Sequence, residues 1–179
     1  DLVAAESHRQ FAAAFRRARE DAGARSVLFV GGLPESGPTS VAANLAVIAA
    51  SAGRKVALVD GNLRRPRLAE VFGLDPDEPG LGDVICGEAS IDSVMQTTQE
   101  GIRVVTAGRP EHRTFERLDA EHLRSAIDGL GKHVDVVFVD GPPAVVAGEA
   151  MGMADQVDAT VLVVRAYSEQ RGLVARLDR

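Results

Sequence analysis

The sequence predicts a three-layer α/β fold, doubly wound about a mostly parallel sheet. Five short runs, SVLFV (26–30), KVALVD (55–60), IRVVTAG (102–108), VDVVFVD (134–140) and ATVLVV (159–164), are almost continuously apolar rather than alternating. That is the pattern of strands buried on both faces. Helical segments stand between the runs, and parallel strands need such crossovers. A strand, a glycine-rich loop, a helix and a second strand also follow one another within residues 26–60, which makes a βαβ unit. A chain of 179 residues is expected to form one domain over 1–179, with a leader helix at 1–20 and an α/β core at 26–165.

From Leu2 to about Arg19, Val3, Phe11, Ala14 and Phe15 recur at helical spacing among Glu6, Arg9, Arg16 and Arg17, so the leader is an amphipathic helix. Gly23 closes it before the first strand. GGLPESGPTS (31–40) then opens a helix from about Thr39 to Ala52, with Gly53 at its C-terminal end. KVALVD is the second strand. Residues 74–101, which include DPDEPGLGD, read as short helices and loops, and Pro110 to Arg117 as an exposed loop. A helix from about Asp119 to Gly129 separates the third strand from the fourth, and ATVLVV is the fifth. Ligands of open α/β sheets bind beyond the carboxyl ends of the strands. Three segments deliver polar residues there: Gly31 to Ser40, Asp60 to Arg65, and Asp140 to Pro143.

Composition narrows the function. A net charge of -6 and a pI near 5.2 argue against a nucleic-acid partner, because phosphate backbones are held by clustered Lys and Arg. The densest basic patch, Arg64, Arg65 and Arg67, reads as solvated or acid-paired surface. Cys86 is the sole cysteine, which excludes an intramolecular disulfide and a cysteine zinc cage and fits a reducing cytosol. His8, His112, His122 and His133 lack metal-site spacing. The longest nearly apolar stretch, 41–53, is too short to cross a bilayer. A cytoplasmic domain is expected, with any membrane anchor outside these residues.

The loop carries the chemical question. A phosphate-binding loop, GxxxxGK[ST], cradles phosphate oxygens with backbone N–H groups and a helix N-terminus, while its lysine supplies charge and its hydroxyl reaches Mg²⁺. Gly32, Gly37 and Thr39 keep their places here, followed by Ser40, but Pro38 stands where the lysine belongs. Proline brings neither charge nor N–H, although the first turn of a helix tolerates it. Glu35 adds a carboxylate within the loop; at about 4 Å from a phosphate it would oppose binding by roughly 4 kcal/mol at an effective dielectric of 20, less if it faces water. Read alone, the stretch fits a plain strand-to-helix turn as well as a relic phosphate loop.

Two further segments give context. VALVDGNLRRPRL (56–68) and VVFVDGPPAV (136–145) each end a buried strand in an aspartate, and GLGDVICGE spans 80–88. With these the chain resembles the bacterial tyrosine autokinases of capsule and exopolysaccharide synthesis, within the ParA/MinD-type phosphate-loop ATPases. The family's motifs read close to LLIDADLRRPRL, DVVIIDTPP and GLSDVLxGE, and its leader helix carries ExxRxxR. The resemblance covers nearly the whole chain and implies a phosphate-loop NTPase-like fold, with ATP and Mg²⁺ as cofactors of active relatives. By position it implies Asp60, Asn62 and Asp140 as remnants of the catalytic set, and Gly32, Glu35, Gly37, Pro38, Thr39 and Ser40 as the nucleotide loop. Thr39, Asp60 and Asp140 would hold any Mg²⁺. Asn62 replaces the second aspartate of the family's DxD pair, and an amide brings no negative charge to a metal and cannot act as a base. Glu6 and Arg9 match the oligomerisation motif, whereas Ala12 takes its third position. Tyr167 is the single tyrosine, so no tyrosine cluster is present.

The resemblance and its departures together lead us to expect a catalytically impaired, pseudokinase-like domain that binds no nucleotide tightly. Its expected partner is a membrane polysaccharide co-polymerase or activator, or the protein's own N-terminal membrane region, at the inner face of the membrane, with self-association possible through the leader helix. The alternative is an active tyrosine autokinase in which another cation, such as Arg64 or Arg65, replaces the lysine.

Overall fold

The computed structural model describes residues 2–109, 114, 120–144 and 148–165, and of residues 2–9, 120, 148 and 149 the backbone alone. The elements are α1 (Leu2–Asp21), β1 (Ser26–Gly31), α2 (Pro38–Ser51), β2 (Val56–Asp60), α3 (Leu68–Phe72), α4 (Leu81–Cys86), α5 (Ile91–Val94), β3 (Gln96–Thr97), β4 (Arg103–Val105), α6 (Ala120–Leu130), β5 (Val136–Asp140), α7 (Gly148–Ala154) and β6 (Ala159–Val163). The strands form one sheet in the order β3-β4-β2-β5-β1-β6. β1 lies parallel to β5 and β6, and β2 parallel to β4 and β5. The apolar runs read from the sequence are these parallel strands. β3 is an addition, antiparallel to β4. A two-residue strand has no detectable period, and it falls within 74–101, the stretch that reads as short helices and loops.

The strand period divides the core into two layers. In β1, Val27 and Phe29 face one side, and Leu28 and Val30 the other. On the first side Ala12 of α1, Leu68 of α3 and the inner face of α2 cover the sheet. α2 buries Ala42, Ala43, Leu45 and Ala46; small side chains bring it close to the strands, and alanine is the best helix former. Phe15 of α1 meets Phe29 and Phe138 with ring centroids 5.8 Å away in each case, and those two stand 5.3 Å apart. Such pairs are worth about 0.5–1.5 kcal/mol each beyond area burial and fix the leader helix on the sheet. On the second side α4 to α7 supply Leu81, Ile85, Leu123, Ile127 and Met153, among others.

The GLGDVICGE segment owes its first residues to packing. A Cβ on Gly80 would stand 2.3 Å from both Gly108 N and Thr106 O, so only glycine fits that crossing. Asp83 Oδ2 accepts from the Gly80 N–H at 2.7 Å and holds the start of α4. At the opposite end of the sheet, Asp158 Oδ2 accepts from the N–H groups of Arg25 and Ser26, both at 2.8 Å, tying the entries of β6 and β1 together. Among the described residues no helix is long and apolar enough to cross a membrane.

Candidate functional site

Because β5 lies between β1 and β2, the turns that leave these three strands converge at one end of the sheet. The Gly61 N–H donates to Asp140 O at 2.8 Å, the Gly141 N–H to Phe29 O at 2.8 Å, and the Ala144 N–H to Gly31 O at 2.9 Å. The three segments expected to carry polar chemistry are therefore neighbours. Close packing enforces the arrangement: a Cβ on Gly141 would lie 2.8 Å from Leu28 Cδ1, and one on Gly31 2.9 Å from Leu33 O.

The loop between β1 and α2 closes on itself. Ser36 Oγ donates to Leu33 O at 2.7 Å and accepts from the Leu33 N–H at 3.1 Å. Gly37 is the N-cap of α2 in the left-handed region (φ 90°), and Pro38 is the first helical residue. The helix thus begins one residue earlier than the sequence indicates, at a position where proline's missing N–H leaves no bond unmade. Thr39 and Ser40 follow in the first turn, where backbone N–H groups have no partner within the helix. Glu35 is the one described non-glycine residue with positive φ, at 67°. That conformation costs an ordinary residue about 1–2 kcal/mol. The Glu35 side chain is exposed, so its repulsion of an anion lies at the solvent-screened end of the range considered above.

Behind the loop stand two buried carboxylates. Asp60 and Asp140 are register partners at the ends of β2 and β5, with relative exposures of 0% and 1%. Asp60 Oδ2 accepts from the N–H groups of Arg67 and Leu68, both at 2.9 Å, which starts α3. Asp140 Oδ2 accepts from the Thr39 hydroxyl at 2.6 Å. The second oxygen of each, Oδ1, is buried with no hydrogen-bond partner. Burial pushes the Asp60 carboxyl up to about 6, against the N–H groups of Leu68, Arg67 and Asn62, which favour the anion. Burial likewise pushes Asp140 up to about 7; the Thr39 hydroxyl opposes this, the charge of Asp60 adds to it, and Arg67 lowers it. Two orphaned carboxylate oxygens beside a threonine hydroxyl fit a hard divalent cation, which takes oxygen donors and would favour both anions. The fit is partial, since among the described residues no group of three or more His, Cys, Asp or Glu forms a metal cage, and Asn62 contributes no charge.

Of the residues expected at the site, Gly32, Glu35, Gly37, Pro38, Thr39 and Ser40 lie on the loop and first turn of α2, Asp60 and Asn62 at the exit of β2, and Asp140 at the exit of β5. Glu6 and Arg9 lie on α1, their side chains outside the described residues, as are Tyr167 and residues 110–113 and 115–117. Ala12 is buried against the sheet, so the third position of the leader motif faces inward here. Arg64 and Arg65 are exposed. One contact has no local signal in the sequence: Arg165 Nη2 donates to Glu35 O at 2.5 Å. The strand order explains it. β6 runs beside β1, with Val163 opposite Gly31, so the residue leaving β6 emerges next to the loop. Nothing in the local sequence around Arg165 announces that neighbour.

A glycine loop leading into a helix whose threonine is bonded to a strand-end aspartate, on a sheet of this order, defines the phosphate-loop NTPase class. No family model matches the chain. The putative tyrosine-protein kinase EpsB of Ralstonia solanacearum is 31% identical over 161 residues, which is 89% of this chain and 21% of that protein. The chain thus spans about a fifth of the length of this curated relative. Among solved structures, the kinase domain of the Escherichia coli tyrosine kinase ETK superposes with a TM-score of 0.89 at 26% identity, over 96% of this chain and 67% of that one. The BceF tyrosine kinase domain does so with a TM-score of 0.84 at 30% identity, over 96% of this chain and 69% of that one. The chain belongs to the bacterial tyrosine-kinase family.

Proposed function

We propose that this domain is a catalytically impaired member of its family, a pseudokinase-like regulator or scaffold in exopolysaccharide or capsule assembly. One observation carries the reading: the Thr39, Asp140 and Asp60 framework is intact, while Pro38 replaces the loop's cation and occupies the first helical position without disturbing the fold. Phosphoryl transfer depends on positioning and on charge that stabilises the transferring group, so loss of the lysine and of the second acidic residue, now Asn62, costs orders of magnitude in rate. Thr39, Asp60 and Asp140 would hold Mg²⁺, whose part would be to neutralise phosphate charge. The partner in this reading is a membrane-bound polysaccharide co-polymerase or activator, or a membrane region of the same protein, and the domain works at the inner face of the membrane.

The test compares the native chain with a Pro38→Lys, Glu35→Gly, Asn62→Asp variant. Calorimetric titration of Mg·ATP is paired with transfer of labelled phosphate to an exogenous tyrosine polymer. The native chain should show no transfer, and the variant should bind Mg·ATP at least tenfold more tightly. Transfer by the native chain at a rate like that of the variant would overturn the reading.

A further inference from the structure

We infer that Arg165 supplies the loop with the positive charge that Pro38 removes, so that the loop still holds a diphosphate, free or part of a nucleotide, weakly and through an arginine just past the end of β6. This rests on the reading of the loop as a degenerate phosphate site. Three observations carry it. The guanidinium of Arg165 is already seated on the loop, donating to the Glu35 carbonyl at 2.5 Å, and the β6 to β1 pairing fixes where that side chain starts. The Gly32 N–H is taken by Val163 O at 3.0 Å, the Ser36 N–H by Leu33 O at 3.2 Å, and Pro38 has no N–H, so the backbone of the loop offers few donors and an anion held there needs a side-chain cation. Asp60 Oδ1 and Asp140 Oδ1, unpartnered and buried at the same end of the sheet, mark it as built for a ligand. Guanidinium matches phosphate oxygens with parallel donors, and it does not require the helical position that a lysine would occupy.

A merely structural role for Arg165, bracing the Glu35 carbonyl, makes a different prediction. Glutamine can keep that hydrogen bond but carries no charge. The experiment titrates ADP and, separately, inorganic pyrophosphate into the native chain, Arg165→Gln, Arg165→Lys, Arg165→Gln with Pro38→Lys, and Arg54→Gln as a control at the far end of α2, all in magnesium buffer. Circular dichroism checks that each variant is folded. The native chain and the Arg54 control should bind both anions equally well. Arg165→Gln should bind at least tenfold more weakly, Arg165→Lys within about threefold of native, and the added lysine at 38 should restore binding to Arg165→Gln. Binding of pyrophosphate without ADP would keep the proposal and make a free diphosphate the ligand. Three results would overturn it: native-like binding by Arg165→Gln, no binding of either anion by the native chain, or binding of ADP without pyrophosphate. Phosphate transfer by the native chain would instead sink only the proposed loss of catalysis.

Discussion

Replacing Asp140 by Asn should stabilise the metal-free domain at pH 8, although the Asp140 carboxylate accepts the Thr39 hydroxyl at the centre of the site. In an unfolded chain an aspartate titrates near 3.9, whereas burial holds Asp140 at about 7 in the fold. Each tenfold change in proton affinity corresponds to about 1.4 kcal/mol, so ionised Asp140 costs the folded state up to about 4 kcal/mol. The sign follows from proton counting. Between pH 4 and 7 the folded state holds a proton that the unfolded state has released, so stability falls as pH rises through that window. Asparagine keeps an oxygen for the Thr39 hydroxyl and removes the charge. Asp140→Asn should exceed native by about 2–4 kcal/mol at pH 8, a Tm increase of about 5–15 °C for a domain of this size, and the gap should close toward pH 4. Urea and thermal melts in EDTA at pH 4.5, 6 and 8 measure it. A variant no more stable than native at pH 8, or a difference that does not change with pH, would refute the reasoning.

Two neighbours give sharper checks on the same geometry. Glu35→Gly relieves a left-handed conformation that costs about 1–2 kcal/mol, set against roughly 0.5–1 kcal/mol of extra chain entropy, so a gain of about 0.5–1 kcal/mol is expected in urea melts; a loss would mean that the side chain stabilises the loop. Thr39→Val removes the hydroxyl that Asp140 accepts. Hydrogen bonds to charged groups are worth about 1.5–3 kcal/mol, so this change should lower stability by that order at pH 8 and by less at pH 5, where Asp140 is protonated; a loss independent of pH would place the cost in packing instead.

The sheet was legible because burial on both faces leaves a signature in composition: each parallel strand appears as an apolar run, and the strand-end aspartates mark its exits. β3 was not, since two residues carry no periodicity. At the site, the sequence placed Thr39, Asp60 and Asp140 on the correct segments, because each sits at a boundary between strand or loop and helix where local pattern is informative. The pairing of Asp60 with Asp140 and the approach of Arg165 to Glu35 depend on strand order. β5 enters between β1 and β2, and β6 joins β1 from the other side, an arrangement that no local stretch encodes. Local sequence accordingly points to Arg64 and Arg65, neighbours of the motif in the chain, while the contact of Arg165 with the loop follows only from strand order.

The balance of preserved and lost residues argues against an inert relic. Several motif residues have a structural reason to remain: Gly37 is left-handed at the N-cap of α2, and Asp60 Oδ2 starts α3. Pro38, in turn, takes the lysine's place at no evident structural cost, since the first helical position accepts it. Asp140 fits neither group. Its burial beside Asp60, each with an oxygen left unpartnered, works against folding at neutral pH, and asparagine could have served Thr39 as well. A site kept only as a scaffold has no use for two adjacent buried carboxylates. A site that still meets a divalent cation and a weakly held diphosphate does, because the cation favours both anions and makes binding stabilise the fold. The same ligand would explain an arginine on the loop. On this argument the proposed loss of phosphoryl transfer is compatible with a nucleotide-responsive end to the sheet, and the domain's stability at neutral pH should rise when magnesium and ADP are added together.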